Sequence, residues 1–150
     1  MAIWQYTFRI IPKGSFDNGI FQPKYSQDGL IEDDIYWERV PTKKDFFYDI
    51  GKVLPIGSSW CEDILLFGSE DSNCFEVLYE NNYAVSVSFR VHFTIEYEFF
   101  LRHVLDFIRF NNLLLLDGQH EIIEPDYLSI KHLMENSRQA KLYDRLSAKE

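Results

Sequence analysis

The sequence lacks any apolar stretch long enough to cross a membrane: its longest purely aliphatic run is Leu113 to Leu116, against the ~20 residues a spanning helix needs. Met1 to Ile11 holds no uninterrupted apolar segment of the kind at the centre of a signal peptide, so no export by that route is expected. Cysteine is scarce. Cys61 and Cys74 lie thirteen residues apart, with no CxxC pair and no nearby His, which leaves neither a zinc site nor a redox dithiol. Both thiols are expected reduced and partly buried, in a cytoplasmic protein. Basic residues are outnumbered, 15 Lys plus Arg against 24 Asp plus Glu, for a formal charge of -9. Lys and Arg form no local cluster, and a nucleic-acid binder needs a basic face to displace counterions from phosphate.

Catalytic signatures are missing as well. There is no GxSxG elbow, no GxxxxGK[ST] loop and no GxGxxG, so nucleophile and phosphate-cradle chemistries have no local support. The four histidines, His92, His103, His120 and His132, form no HxH, HExxH or HxxxH pair. His103 and His132 fall on helices beside charged residues and read as solvated. Pro125-Asp126 resembles the start of a restriction-type nuclease motif, but Lys131, Lys141 and Lys149 are preceded two positions earlier by Ser129, Gln139 and Ser147 rather than an acid. The pairs Glu62-Asp63 and Glu121 with Glu124 suit acid-base work only if a cleft gathers them. No catalytic residue, metal ligand or cofactor is assigned.

What is present in quantity is apolar bulk. Hydrophobic residues make up 46% of the 150-residue chain, including thirteen Phe and nine Tyr, far too much for a disordered chain. With no linker, repeat or low-complexity tract, residues 1–150 read as a single domain.

Periodicity predicts an α+β fold: an antiparallel β-sheet, with a meander near residues 60–93, and helices packed mainly on one face. Trp4, Tyr6, Phe8 and Ile10 alternate with Gln5, Thr7 and Arg9 as a first strand. Turn residues such as Asp17-Asn18-Gly19 and Asp28-Gly29 punctuate the next stretch, which is expected either to hold short strands, for example over Ile35 to Val40, or to be a functional loop. Thr42 is placed to cap a helix carrying Phe46, Phe47, Ile50, Val53 and Leu54. Trp60 to Phe67 and Cys74 to Glu80 are strands. Tyr83, Val85, Val87, Phe89, Val91 and Phe93 then share one face of a strand, with Ala84, Ser86, Ser88, Arg90 and His92 on the other. A two-residue Asn81-Asn82 turn would set Glu76 against Val87 on the core face. The reading is therefore a three-residue loop, Glu80-Asn81-Asn82, with Asn82 left-handed and Phe75 opposite Val87. Thr94 caps a helix burying Tyr97, Phe100, Leu101, Val104, Leu105 and Ile108. Leu113 to Leu116 form a strand buried on both faces. Pro125-Asp126 opens a helix burying Leu128, Ile130, Leu133 and Met134, and a last helix carries Leu142, Tyr143 and Leu146.

Two candidate binding surfaces emerge. The face carrying Ser86, Ser88, Arg90 and His92, joined by Thr7 and Arg9, is a polar patch if no helix covers it. The stretch Glu32-Asp33-Asp34-Ile35-Tyr36-Trp37-Glu38-Arg39 combines aromatic anchors with carboxylates that steer toward a basic surface. Glu32, Asp33, Asp34, Tyr36, Trp37, Arg90 and His92 are the partner-binding candidates.

Ser59-Trp60, Phe67-Gly68, Phe89-Arg90-Val91, Ile122-Ile123-Glu124-Pro125 and Ser137 make the chain similar to the small immunity proteins encoded beside bacterial secreted or contact-dependent toxins. The resemblance implies a cytoplasmic, non-catalytic module that binds and neutralises one cognate toxin. It expects a basic protein partner, no nucleic acid and no membrane, and is compatible with a homodimer. Two other classes stand beside it: a small enzyme or ligand-binding protein using the Arg90/His92 face, and a structural or regulatory subunit of a larger assembly.

Overall fold

The computed structural model describes residues 4–16, 21–59 and 61–147. Six strands form one sheet: β1 (Gln5–Pro12), β2 (Ile64–Gly68), β3 (Cys74–Glu80), β4 (Tyr83–His92), β5 (Leu113–Leu116) and β6 (Ile122–Ile123). Their order is β2-β3-β4-β1-β5-β6, and every pairing is antiparallel. The helices are α1 (Asp34–Arg39), a 3-10 helix (Lys44–Lys52), α2 (Glu98–Phe110), α3 (Tyr127–Glu135) and α4 (Arg138–Ser147). This is the expected α+β class.

The alternation of β1 and β4 sorts the sheet into an apolar and a polar face. On the apolar face Phe8, Phe89, Phe75 and Phe67 form a ladder across β1, β4, β3 and β2, with ring centroids 5.0, 6.3 and 6.2 Å apart. Aromatic pairs in such arrangements contribute roughly 0.5–1.5 kcal/mol each beyond their buried area. The 3-10 helix lays Phe47 and Ile50 on this ladder, α2 adds Phe100, Leu101, Val104, Leu105, Phe107 and Ile108, and α3 adds Ile130 and Met134. A second small cluster of Ile11, Ile31, Tyr36 and Leu116 covers the β1–β5 end of the other face. β5 therefore buries side chains on both sides, as its unbroken leucine run predicts.

The β3–β4 hairpin corrects the expected register. Asn81 and Asn82 form a two-residue turn, both with positive φ (52° and 71°), the backbone that matches the twist of a tight hairpin. Glu80 pairs with Tyr83 and Tyr79 with Ala84, after which Leu78 pairs with Ser86, so Val85 is an inserted bulge residue. The bulge restores the alternation that a longer loop was expected to supply: Glu76 lies opposite Ser88 and Phe75 opposite Phe89. Its further effect is to send Ala84 into the core and leave Tyr83 exposed.

Other local expectations shift for identifiable reasons. The Ile35–Val40 segment is α1 rather than a strand. Its adjacent aromatics enter different clusters, Tyr36 the small one and Trp37 the main one. The Trp37 indole donates to the Ile10 carbonyl at 3.2 Å and the Tyr36 hydroxyl to the Gln22 carbonyl at 3.1 Å. The Thr42 hydroxyl donates back to the Val40 carbonyl (2.9 Å) and caps nothing. Thr94 is held by His92 instead of capping α2, where the Glu96 carboxylate accepts from the Glu98 amide at 2.7 Å. Asp126 does cap α3, accepting from the Ser129 amide at 3.0 Å. Leu128 is exposed rather than buried. Trp60 and the Asp17-Asn18-Gly19 turn lie outside the described residues.

Candidate functional site

The register that buries the phenylalanine ladder necessarily presents the alternate residues on the opposite face. Thr7, Arg90 and Cys74 come abreast across β1, β4 and β3, as do Arg9, Ser88 and Glu76 one pair along. α2, α3 and the 3-10 helix all pack on the apolar side. Thr7, Arg9, Ser86, Ser88, Arg90 and His92 are accordingly half-buried, a polar strip in the middle of the sheet.

Two internal networks organise this strip. Arg90 donates through Nε to Cys74 Sγ (3.1 Å) and through a terminal nitrogen to Glu76 Oε1 (2.5 Å). Burial pushes the Cys74 thiol upward, with the Arg90 charge opposing, so Cys74 is held as a neutral thiol. At the other end of β4, Ser86 Oγ donates to Asp33 Oδ2 at 2.8 Å, and Arg9 reaches the same oxygen at 3.4 Å. Burial raises the Asp33 carboxyl above the usual range, against the pull of Arg9 and Ser86.

Asp33 joins the two surfaces read from the sequence. Its neighbours Glu32 and Asp34 point into solvent, while its own buried carboxylate ties them to the polar face. Tyr36 and Trp37, by contrast, are 2% and 1% exposed. They anchor α1 from inside, so the expectation that they meet a partner at the surface does not match their position. His92 sits about 20 Å along β4 from Ser86, taking six residues at the usual strand rise. Its ring nitrogen accepts from the Thr94 amide at 3.1 Å, and burial lowers its pKa. Arg90 and His92 are thus both engaged by their own chain.

The exposed anchors are residues the sequence reading passed over. Residues 24–32 fold into a small hairpin: Tyr25 bridges Ile31, the Ser26 amide donates to the Leu30 carbonyl (2.7 Å) and the Glu32 amide to the Lys24 carbonyl (2.8 Å). Gly29 takes φ +79° at its tip, a conformation only glycine adopts cheaply. The hairpin leaves Tyr25 49% and Leu30 65% exposed, beside exposed Asp28, Glu32 and Asp34. Tyr25 rests on His120, ring centroids 5.6 Å apart, with its hydroxyl 3.3 Å from Nδ1. The signal was present in the β-forming residues Tyr25 and Leu30-Ile31 around Asp28-Gly29.

Among the described residues no group of three or more His, Cys, Asp or Glu is gathered for a cation, and Glu62, Asp63, Glu121 and Glu124 all lie exposed. No helix among those residues is long and apolar enough to cross a membrane. Compared with protein-family models, with curated proteins and with solved structures, the chain has no significant match.

Proposed function

We propose that the protein is a non-catalytic protein-binding module, an immunity protein that binds and neutralises a cognate bacterial toxin in the cytoplasm. The observation that supports this reading best is the 24–34 segment. Tyr25 and Leu30 stand exposed on a hydrogen-bonded hairpin, in one short segment with the exposed acids Asp28, Glu32 and Asp34. An exposed aromatic or aliphatic anchor with a charged rim is the arrangement of an interface hot spot. The acids, on a chain of net charge -9, steer a basic partner toward it. Because the hairpin is continuous with α1, whose Tyr36 and Trp37 are locked in the core, the surface is held in shape before it meets a partner. Less ordering free energy is then lost on binding.

The test is co-expression with a basic toxin domain encoded beside this gene. The proposal expects the two chains to co-purify as a tight complex that loosens as salt rises, and expects the toxin to lose its activity in that complex. Failure of the pair to associate at low salt overturns it.

A further inference from the structure

Where β4 hands over to α2, the end of α3 and the start of α4 close round a cavity of about 210 Å³. Phe93 follows the last residue of β4, and Tyr97 stands immediately before α2. Met134 and Glu135 end α3. The Ser137 hydroxyl, accepting from the Ala140 amide at 3.1 Å, then turns the chain into α4. Ala140, Tyr143 and Asp144 fall three and four residues apart on one face of that helix, and all three line the cavity. Three half-buried aromatic rings and the buried Met134 thus share one small space with two exposed carboxylates, Glu135 and Asp144.

The charges around this space select the occupant. Among the described residues neither Glu135 nor Asp144 has an ion-pair partner, and no cation lies over the ring of Tyr97 or Tyr143. The cations of α4, Arg138, Lys141 and Arg145, line a separate groove. Glu135 stands at the C-terminal end of α3, where the helix dipole adds negative potential. Burial and, behind it, the charges of Tyr127, Glu135, Glu96 and Glu98 hold the Tyr97 hydroxyl above its ordinary range. The neighbouring Arg102 shows what such a lining holds. Its guanidinium lies 3.9 Å over the Tyr127 ring and 3.0 Å from the Glu98 carboxylate. Tyr97 and Tyr143 with Glu135 and Asp144 repeat that pairing of ring and carboxylate without a cation of the chain's own.

We propose that this cavity is a binding site for a primary alkylammonium group, on a free amine or at the end of a lysine side chain, held by the rings of Tyr97 and Tyr143 and the carboxylates of Glu135 and Asp144. Ring faces attract a cation through their quadrupole, the carboxylates accept from its N–H groups, and Phe93 and Met134 pack on its methylenes. The volume is below the roughly 300 Å³ at which drug-sized ligands begin to fit, so a short alkyl chain with one charged head is the size it takes. The site shares no residue with the 24–34 hairpin and stands independently of the proposed function.

Nuclear magnetic resonance titration of the full chain tests this, reading the ring signals of Tyr97 and Tyr143 and the Met134 methyl. The probes are n-butylamine, Nα-acetyl-lysine methylamide and, as the uncharged control, 1-butanol. The amine gives saturable shifts at these residues in the millimolar range, as a few partly exposed charge and ring contacts allow, and 1-butanol does not. Shifts with n-butylamine alone assign the site to free amines, and shifts with both amines extend it to lysine side chains. Glu135→Gln/Asp144→Asn weakens binding about fivefold, the effect of two exposed charge contacts. Tyr143→Leu, which keeps apolar bulk but loses the ring face, weakens it as well. Unchanged circular dichroism spectra check that the variants fold. Absence of saturable shifts with either amine, equal shifts with 1-butanol, or wild-type affinity in the folded Glu135→Gln/Asp144→Asn variant each overturns the proposal.

Discussion

The Ser86 hydroxyl donates a 2.8 Å hydrogen bond to the carboxylate of Asp33, fastening the loop that carries the exposed acids to the polar face of the sheet. Asp33 is 8% exposed, with Arg9 at 3.4 Å as its only counter-charge among the described residues. Burial outweighs that partner and raises its pKa. A group whose folded pKa is raised contributes stability that is fully present below its unfolded pKa and is lost as pH rises through the folded value. Ionised Asp33 is thus a small burden on the fold at neutral pH. Asp33→Asn, which does not titrate and keeps an acceptor for Ser86, should gain stability relative to the wild type between pH 3, below the unfolded carboxyl's ordinary range, and pH 7. Urea unfolding at both pH values measures the difference, and an unchanged gap would contradict the burial account.

The hairpin register makes a second prediction. Asn82 sits at φ 71° in a two-residue turn, where glycine is the preferred residue. Asn82→Gly should stabilise the protein by several tenths of a kcal/mol, up to ~1 kcal/mol, and Asn82→Val should cost about 1–2 kcal/mol. Thermal unfolding of both variants decides it. A stabilising valine would mean that the turn is not left-handed there.

Core and surface residues of the 24–38 region should separate cleanly. Trp37 is enclosed and bonded to the Ile10 carbonyl, so Trp37→Ala should cost about 3–5 kcal/mol. Glu32→Ala and Asp34→Ala, both at solvent-exposed positions, should lie within about 0.5 kcal/mol of the wild type. Denaturant midpoints give the comparison. Only the exposed pair can then be used to probe binding, since loss of function in Trp37→Ala would report unfolding.

The Arg90 pair with Glu76 gives a fourth prediction. Their side chains are 20% and 26% exposed and 2.5 Å apart. Glu76→Ala leaves a half-buried guanidinium with only a thiol as acceptor, and should cost on the order of 1–3 kcal/mol. Glu76→Gln, which keeps an acceptor oxygen, should recover part of that loss. Equal stability of the two variants would place Arg90 in solvent rather than in the network.

Much of this fold is legible from side-chain period alone. β3 is read residue for residue, and the alternation of β1 and β4 correctly sends Phe8, Phe89 and Val91 inward and Arg90 and His92 outward. What periodicity misses is where it breaks. The Val85 bulge changes face without changing composition, so counting by twos moved the irregularity into the loop. The Ile35-Tyr36-Trp37 run is too short to distinguish helix from strand, and its two aromatics are drawn into separate clusters by tertiary contacts. The candidate site was half legible. Glu32 and Asp34 are exposed as expected, but the anchors beside them are Tyr25 and Leu30, brought there by a hairpin whose two short β-forming arms flank Asp28-Gly29 and were read only as part of a turn-rich stretch.

The central claim is that the acidic hairpin is the contact surface for a basic toxin. Association kinetics of the complex, followed at several salt concentrations for the wild type and for the Glu32→Ala/Asp34→Ala and Tyr25→Ala/Leu30→Ala variants, test it most directly. The account predicts that losing the two acids slows association and flattens its salt dependence, since rim charges act on encounter. Losing Tyr25 and Leu30 should mainly speed dissociation, as removal of an interface anchor does. Wild-type association and dissociation rates in both folded double variants would contradict it.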